Sequence, residues 1–498
     1  MFSDTKSLTV LNPLSINGRG SVAAYATLLM LATVASYLMF APVWSPTLLW
    51  WRYDNARLLE IGLLLAIGAM TAIPSVSCAI SQRWIELNRG ARALLILFCA
   101  AGVLSATLSG VPQVGVLQVS LAVLLLALTL SIVSVVRNAG ARGEAALSVA
   151  ICAGALLVVL QFWAEQAVYI AQGDTFPWVS PFLNFANVRF FSQYQTYALL
   201  LIVVPLQLFK LGRISSIALY VLAANFWSLQ WMVGTRAVWV GLIAATLVVL
   251  LFGRGYRRQW IRQQSVGVAA GLAIFLVFTR LLMPTAEAPA IPKTHSMVER
   301  GWQSVNERVV MMKSAAEMIR ENPILGVGPG QFGHNYSATR AAHPHNSPLQ
   351  FLAEYGLIGG GAAIALLGML GFFALGVIRA GPPGHTGDAV GVYVAAALIM
   401  GLVESCFSGN LTMPHSQIMF CVTAGWLLGR RRTQGQMTQF AAPETSRVLK
   451  LALSGTVLLA VGVALILTVE YATTIHGMPW WIHPNPPNLW QYGRFSAW

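Results

Sequence analysis

The chain has 498 residues, of which 56% are hydrophobic and only 10% charged, with a formal net charge of +14 and a mean hydropathy of +0.66. Soluble domains carry about 25% charged residues, so this composition excludes a soluble enzyme or binding domain and points to an integral membrane protein. The positive balance fits basic loops held at the cytoplasmic side of a bilayer, in contact with anionic phospholipids, and nothing in it points to nucleic acid.

A helix needs about 20 apolar residues to cross the hydrocarbon, and such stretches recur along nearly the whole chain. They are predicted at 21–43, 58–78, 93–109, 115–136, 145–164, 193–210, 214–233, 237–253, 265–283, 351–378, 389–409, 413–429 and 450–470. The fold class is therefore all-α and integral to the membrane, with about 12 to 13 transmembrane helices. The first span follows NPLSINGRG and is too long and too poorly flanked for a cleaved signal peptide, so it reads as a signal-anchor. Basic clusters at Arg83, Arg89 and Arg92, at RGYRRQWIR (254–262) and at GRRRTQ (429–434) put the N-terminus inside. An odd number of helices then puts the tail, 471–498, outside. Cys78, Cys99, Cys152, Cys406 and Cys421 all fall in or beside apolar spans and read as small core residues.

The organisation follows from these spans. Residues 1–283 hold the first nine, 284–350 form a large outer loop, 351–470 hold the last four, and 471–498 are the C-terminal tail. A second, aromatic-rich outer excursion covers 165–192. The large loop opens with MPTAEAPAIPKTHS and continues into the helical stretch MVERGWQSVNERVVMMKSAAEMIREN. Within it Val305, Val309, Met312, Ala316 and Ile319 recur at three- and four-residue steps, which predicts an amphipathic helix lying over the membrane domain. Pro323 and the glycines of ENPILGVGPGQFG end it. A Gly-rich phosphate loop would follow a strand and open a helix; GVGPGQFG follows a helix on the outer side, so it reads as a tight irregular turn.

Charge at the edge of hydrocarbon costs about 2.5–3.5 kcal/mol per central residue and so tends to mark function. On the outer side stand Arg189 in NFANVRFFSQYQT, Arg236 in VGTRAVW and Arg308 in NERVVMMK. Guanidinium forks bind phosphate oxygens bidentately, so arginines converging at one face suggest a pyrophosphate lipid. Each alone also fits a snorkelling anchor. His345 is the candidate base, because an unperturbed imidazole titrates near neutrality. Asn346 beside it would orient the ring or hold a sugar hydroxyl, while His343, two residues upstream, and Gln193, one turn after Arg189, are auxiliary candidates. Pro344 and Pro348 stiffen the approach to a helix starting near Leu349, whose N-terminus favours an anion. The competing reading makes His343 and His345 polar cap residues.

Metal binding is disfavoured, since HPH offers a two-residue spacing without a nearby carboxylate, HExxH is absent, and Asp54 and Asp174 are the only outer aspartates. No metal or cofactor is expected, and no triad accompanies any Ser or Cys nucleophile. Arg57 and Glu60, three apart on one helix, are expected to pair, and Glu354 and Glu404 are expected to pair with arginines. A transporter with matched polar halves fits less well, because the notable residues gather at one face.

GTRAVWVGLIAATLVVLLF (234–252), NERVVMMKSAAEMIRENPILGVGPGQF (306–332) and HPHNSPLQFLAEYGLIGG (343–360), in this order and spacing, resemble the O-antigen ligase and polymerase family of bacterial envelope proteins, and NVRFFSQYQT (187–196) is similar to an upstream stretch of the ligases. The resemblance implies a GT-C-like fold in the bacterial inner membrane with its active site on the periplasmic side. It implies a metal-independent, inverting glycosyltransferase that moves O-antigen polysaccharide from undecaprenyl pyrophosphate to a sugar hydroxyl of lipid A–core oligosaccharide in lipopolysaccharide biosynthesis. In that reading Arg189 and Arg236 hold the pyrophosphate, Arg308 assists from the loop, Arg236 and His345 are catalytic, and the role of His343 stays open. The O-antigen polymerase, whose acceptor is another lipid-linked repeat, is the nearest rival. The protein O-oligosaccharyltransferase, which carries additional C-terminal sequence, is the next.

Overall fold

The computed structural model describes residues 18–49, 52–173, 182, 184–185, 187–282, 294–336, 343–380, 386–430 and 446–476. Asp174 and the tail 477–498 lie outside the described residues, so the expectations resting on them do too.

The helices run in chain order as α1 (Gly18–Phe40), α2 (Arg52–Ala69), α3 (Pro74–Glu86), α4 (Arg89–Leu108), α5 (Pro112–Ala139), α6 (Ala141–Gln172), α7 (Val188–Leu201), α8 (Pro205–Leu208), α9 (Arg213–Val233), α10 (Arg236–Phe252), α11 (Arg257–Val277), α12 (Thr294–Glu321), α13 (Phe332–Asn335), α14 (Ser347–Ala380), α15 (Thr386–Ser405), α16 (Pro414–Arg430) and α17 (Arg447–His476). Among the described residues there is no strand. Among the described residues eight helical segments are long and apolar enough to cross a membrane, and the apolar helices Ala24–Phe40, Arg236–Phe252 and Ala389–Ser405 are shorter. The protein is an all-α, multi-pass membrane protein.

Proline corrects two of the predicted spans. The stretch 58–78 is not one helix: α2 ends at Ala69, a short 3₁₀ turn follows, and Pro74 opens α3. Proline has no N–H to donate and fits a first helical turn, so it starts a new helix there. The stretch 193–210 divides at Pro205 in the same way, leaving α7 as a 14-residue helix, too short to span alone.

Central α5 is apolar all round and packs against α1, α2, α3, α4, α6, α16 and α17. Two of its buried serines are satisfied within the helix, Ser120 Oγ on the Val116 carbonyl and Ser131 Oγ on the Ala127 carbonyl, each at 2.8 Å. A second buried helix, α15, packs against α7, α10, α14 and α16, while α9 and α11 pair at one flank and α4 and α14 at another.

The two ends of α5 mark two faces of the bundle. At its C-terminal end Arg137 pairs with Glu86, Arg83 pairs with the same carboxylate, and Arg430 pairs with Glu144. At its N-terminal end the Val111 N–H donates to the Gln331 side chain at 3.2 Å. The 28 residues between rise about 42 Å at 1.5 Å each. Gln331 and the segment it belongs to therefore lie at the face opposite the ion pairs.

Within the bundle Arg57 and Glu60 pair as expected and are both buried. Among the described residues Glu354 and Glu404 do not pair with arginine. Glu404 accepts a hydrogen bond from Asn410 Nδ2 at 3.0 Å, and Glu354 is held by backbone N–H groups. Amides satisfy a carboxylate's lone pairs without bringing a second charge into the interior, which is costly to desolvate.

Candidate functional site

Arg189 and Arg236 both stand at helix starts, as their sequence context predicts. Asn187 caps α7, its Oδ1 accepting from the N–H of Arg189 at 2.8 Å and of Phe190 at 3.2 Å. Thr235 precedes α10, of which Arg236 is the first residue. Both arginines are exposed. Arg308 arrives from α12 and is partly buried, its Nε without a hydrogen-bond partner.

The three arginines share one electrostatic neighbourhood. Burial, and then the positive charges of Arg189 and Arg236, lower the Arg308 pKa below its ordinary value. Arg57, Arg83, Arg137 and Arg430 each have a carboxylate partner. Among the described residues Arg189, Arg236 and Arg308 pair with none. Like charges gathered without a counter-ion favour an anion at that place.

The histidines sit in the same field. His343 is buried, and burial followed by Arg189 and Arg308 pushes its pKa down to about 4. His345 is pushed down to about 2 by burial, then His343, Arg189 and Arg308. Both rings are therefore neutral at pH 7. His345 is not the near-neutral titrating group that its unperturbed value suggests, because each charged neighbour that acts on it is a cation.

The backbone here is unusual. Among the described residues His345 is the only one besides glycine with positive φ, at 54°, a left-handed conformation that costs a residue bearing a Cβ about 1–2 kcal/mol. Its N–H donates to His343 Nδ1 at 3.1 Å, and the two rings lie edge to face with centroids 4.4 Å apart. The accepting Nδ1 carries no proton, so neutral His343 is protonated at Nε2. The His343 ring lies on Gly409, where a Cβ would come within 2.6–2.9 Å of it. Ser347 Oγ donates to the Ser408 carbonyl at 3.2 Å beside this contact.

Asn346 opens the helix that follows the histidines. It is the N-cap of α14, its Oδ1 accepting from the Leu349 N–H at 2.9 Å and its carbonyl from the Gln350 N–H at 2.9 Å. That oxygen is thereby committed to the helix rather than to an imidazole or a sugar. Gln193 is buried one turn below Arg189, its Oε1 without a partner.

The Gly-rich segment packs against the start of α14. The Val327 N–H donates to the Ala353 carbonyl at 2.9 Å and the Gly328 N–H to the Glu354 carbonyl at 3.0 Å. The N–H groups of Gly330 and Phe332 reach the two Glu354 carboxylate oxygens at 2.9 and 3.3 Å. The backbone donors a phosphate would need are occupied by the protein's own carboxylate. Opposite them, helix α14 breaks at Gly356 (φ 65°, ψ −170°), where a Cβ would stand 2.2 Å from the Ile324 carbonyl oxygen. Only glycine combines that conformation with that approach.

Helix α12 docks through a stripe that shares Ile319 with the one its periodicity suggests and is otherwise shifted from it. Met311, Ala315 and Met318 are buried against Phe332, Tyr336 and Ala353, whereas Val309 is 44% exposed and Ala316 is exposed. Both stripes are apolar, and the packed one is set by where Phe332 and Tyr336 stand, which periodicity does not encode. Among the described residues no three His, Cys, Asp or Glu side chains converge as metal ligands.

A family model described as O-antigen ligase matches residues 231–364. The match includes Arg236, Arg308, His343, His345 and Glu354, and leaves Arg189 and Gln193 outside. No curated protein matches the chain. Within its all-helical membrane architecture, this chain carries a segment, residues 231–364, that is similar to the O-antigen ligase family.

Proposed function

We propose that the chain is an O-antigen ligase. It transfers O-antigen polysaccharide from undecaprenyl pyrophosphate to a sugar hydroxyl of lipid A–core oligosaccharide at the periplasmic face of the bacterial inner membrane. The observation that carries this reading is the gathering of Arg189, Arg236 and Arg308, without carboxylate partners among the described residues, around a strained histidine turn.

In this reading the guanidinium forks of Arg189, Arg236 and Arg308 hold the donor diphosphate. They stabilise the negative charge that grows on it as the bond to the anomeric carbon breaks. The diphosphate also offsets the positive field on His345, so the imidazole gains basicity when the donor is bound. The acceptor hydroxyl then gives its proton to the ring as its oxygen attacks the anomeric carbon. The electron pair of the broken bond leaves with the diphosphate. Cations present throughout the site do the neutralising, so no metal step is required. A single displacement from the face opposite the leaving group inverts the anomeric centre. His343 does not act on substrate; it holds the backbone turn that aims His345.

The O-antigen polymerase would use the same donor chemistry with a second lipid-linked repeat as acceptor. The test is to give purified protein the lipid-linked O-antigen together with lipid A–core and to follow both acceptors. Glycosylated lipid A–core with inverted linkage is the expected product. Elongated lipid-linked glycan without it would move the chain to the polymerase reading, and a retained linkage would exclude the single displacement.

A further inference from the structure

We infer that Glu354 is a positioning residue, whose carboxylate fills the Gly-rich backbone turn 328–332 and thereby sets Arg308 against the His343–His345 turn. The inference rests on the ligase reading for the use of Arg308, and on the geometry alone for the carboxylate's contacts.

Three donors converge on this one side chain. Gly330 N–H meets Oε2 at 2.9 Å, Phe332 N–H meets Oε1 at 3.3 Å, and Gln350 Nε2 meets Oε1 at 3.0 Å. The residue is buried, and its own carbonyl accepts from Gly328 N–H and from Ser105 Oγ at 3.1 Å. A buried carboxylate with this set of donors is satisfied without a cation. The reciprocal statement matters equally, since two backbone N–H groups of an irregular loop would be left without these partners if it were removed.

The carboxylate joins the two halves of the site. Upstream of the turn is α12, which carries Arg308 and packs through Met318 against Phe332, the residue whose N–H Glu354 holds. Downstream, Glu354 is one helical turn after Gln350, whose N–H bonds to Asn346, the residue following His345. Gln331, between the two held amides, fixes the turn to the bundle by donating to the Val111 carbonyl at 2.9 Å. Arg308 thus reaches the histidines through a turn clamped on both sides. Misplacing a charged group by about 1 Å costs about 10²-fold in rate.

Glu354→Gln tests this most closely, because the amide keeps one acceptor oxygen but offers an N–H₂ where the second backbone N–H now finds an oxygen. In the full-length protein in detergent, the amides of 328–332 are expected to exchange at least about tenfold faster in the variant, while α5 keeps its protection. Transfer is expected to fall about 10²-fold. Combining Glu354→Gln with Arg308→Ala is expected to leave transfer within about threefold of Arg308→Ala alone, because the first acts through the second. A merely structural Glu354 would instead lower the folded fraction and multiply with Arg308→Ala. Unchanged exchange, or multiplied losses, would overturn the inference. If the glutamine variant does not fold, Gly330→Ala opens the same turn from its other side, since Gly330 has φ of 71° and a Cβ there would meet Gln118 Cγ at 2.8 Å. Loss of all transfer by the wild type with every lipid-diphosphate donor would fault the ligase reading, while the exchange result would still decide the carboxylate's contacts.

Discussion

The Nδ1 of His343 accepts the backbone N–H of His345 at 3.1 Å, so two histidines two residues apart have unlike work. One side chain holds the left-handed turn; the other is presented by it. The contact of the His343 ring with Gly409 links this turn to the connection between α15 and α16. Gly409→Ala should therefore push the ring away, free the His345 N–H and lower transfer about tenfold, with thermal stability reduced by about 1–3 kcal/mol as for an overpacked core. Transfer assays on folded protein check this. Wild-type turnover in that variant would mean the ring contact does not govern His345.

The low pKa values of the two histidines have a defined sign. Folded His343 titrates near 4 instead of 6.5, so between those values the unfolded chain binds more protons and stability rises with pH. Its contribution is complete above about 6.5. At pH 5 the loss is about 2 kcal/mol, from 1.5 units at about 1.4 kcal/mol each. His343→Asn should lower this part of the acid destabilisation, measured as thermal midpoints at pH 7 and pH 5. An identical pH dependence in variant and wild type would contradict the assignment.

Donor binding should move His345 the other way. Because the cations that depress its pKa are those proposed to bind the diphosphate, the acid limb of kcat should lie at higher pH than that of kcat/KM for the donor. The first reports the bound complex and the second the free enzyme. Coincident limbs would show that the diphosphate does not offset the field at this ring.

The arginines should not be exchangeable for lysine. A lysine keeps the charge but loses the planar fork, so Arg236→Lys is expected to lose about tenfold in transfer and Arg236→Ala about 10²–10³-fold. Arg57 should behave differently. It is buried, pairs with Glu60, and donates to Tyr53 Oη at 2.8 Å and Gln417 Oε1 at 2.9 Å. Arg57→Ala leaves a buried carboxylate without its partner and should cost about 3–5 kcal/mol of stability. Thermal unfolding in detergent separates the two cases, since the Arg236 variants should unfold near the wild-type temperature.

The architecture was legible because hydrocarbon demands long apolar helices and proline marks their breaks, and Pro74 and Pro205 show the cost of reading the first without the second. Arg189 and Arg236 were legible as site candidates because charge at a helix entry is expensive. The role of His343 was not, because it depends on a positive φ at the next residue, which spacing does not carry. Glu354 announced itself as a carboxylate inside an apolar run, yet its backbone partners are amides 24 and 22 residues upstream, and no side-chain pattern records those. The buried stripe of α12 was legible only in part, at Ile319, for a related reason: two adjacent stripes are apolar, and contact with Phe332 and Tyr336 selects one.

The most direct measurement is transfer in a defined system containing purified protein, undecaprenyl-pyrophosphate-linked O-antigen, lipid A–core and EDTA, comparing wild type with Arg308→Ala and His345→Ala. The expected result is a ladder of glycosylated lipid A–core that survives EDTA and is lost in both variants while they remain folded. Full transfer by either folded variant, or a wild-type reaction abolished by EDTA, would contradict it.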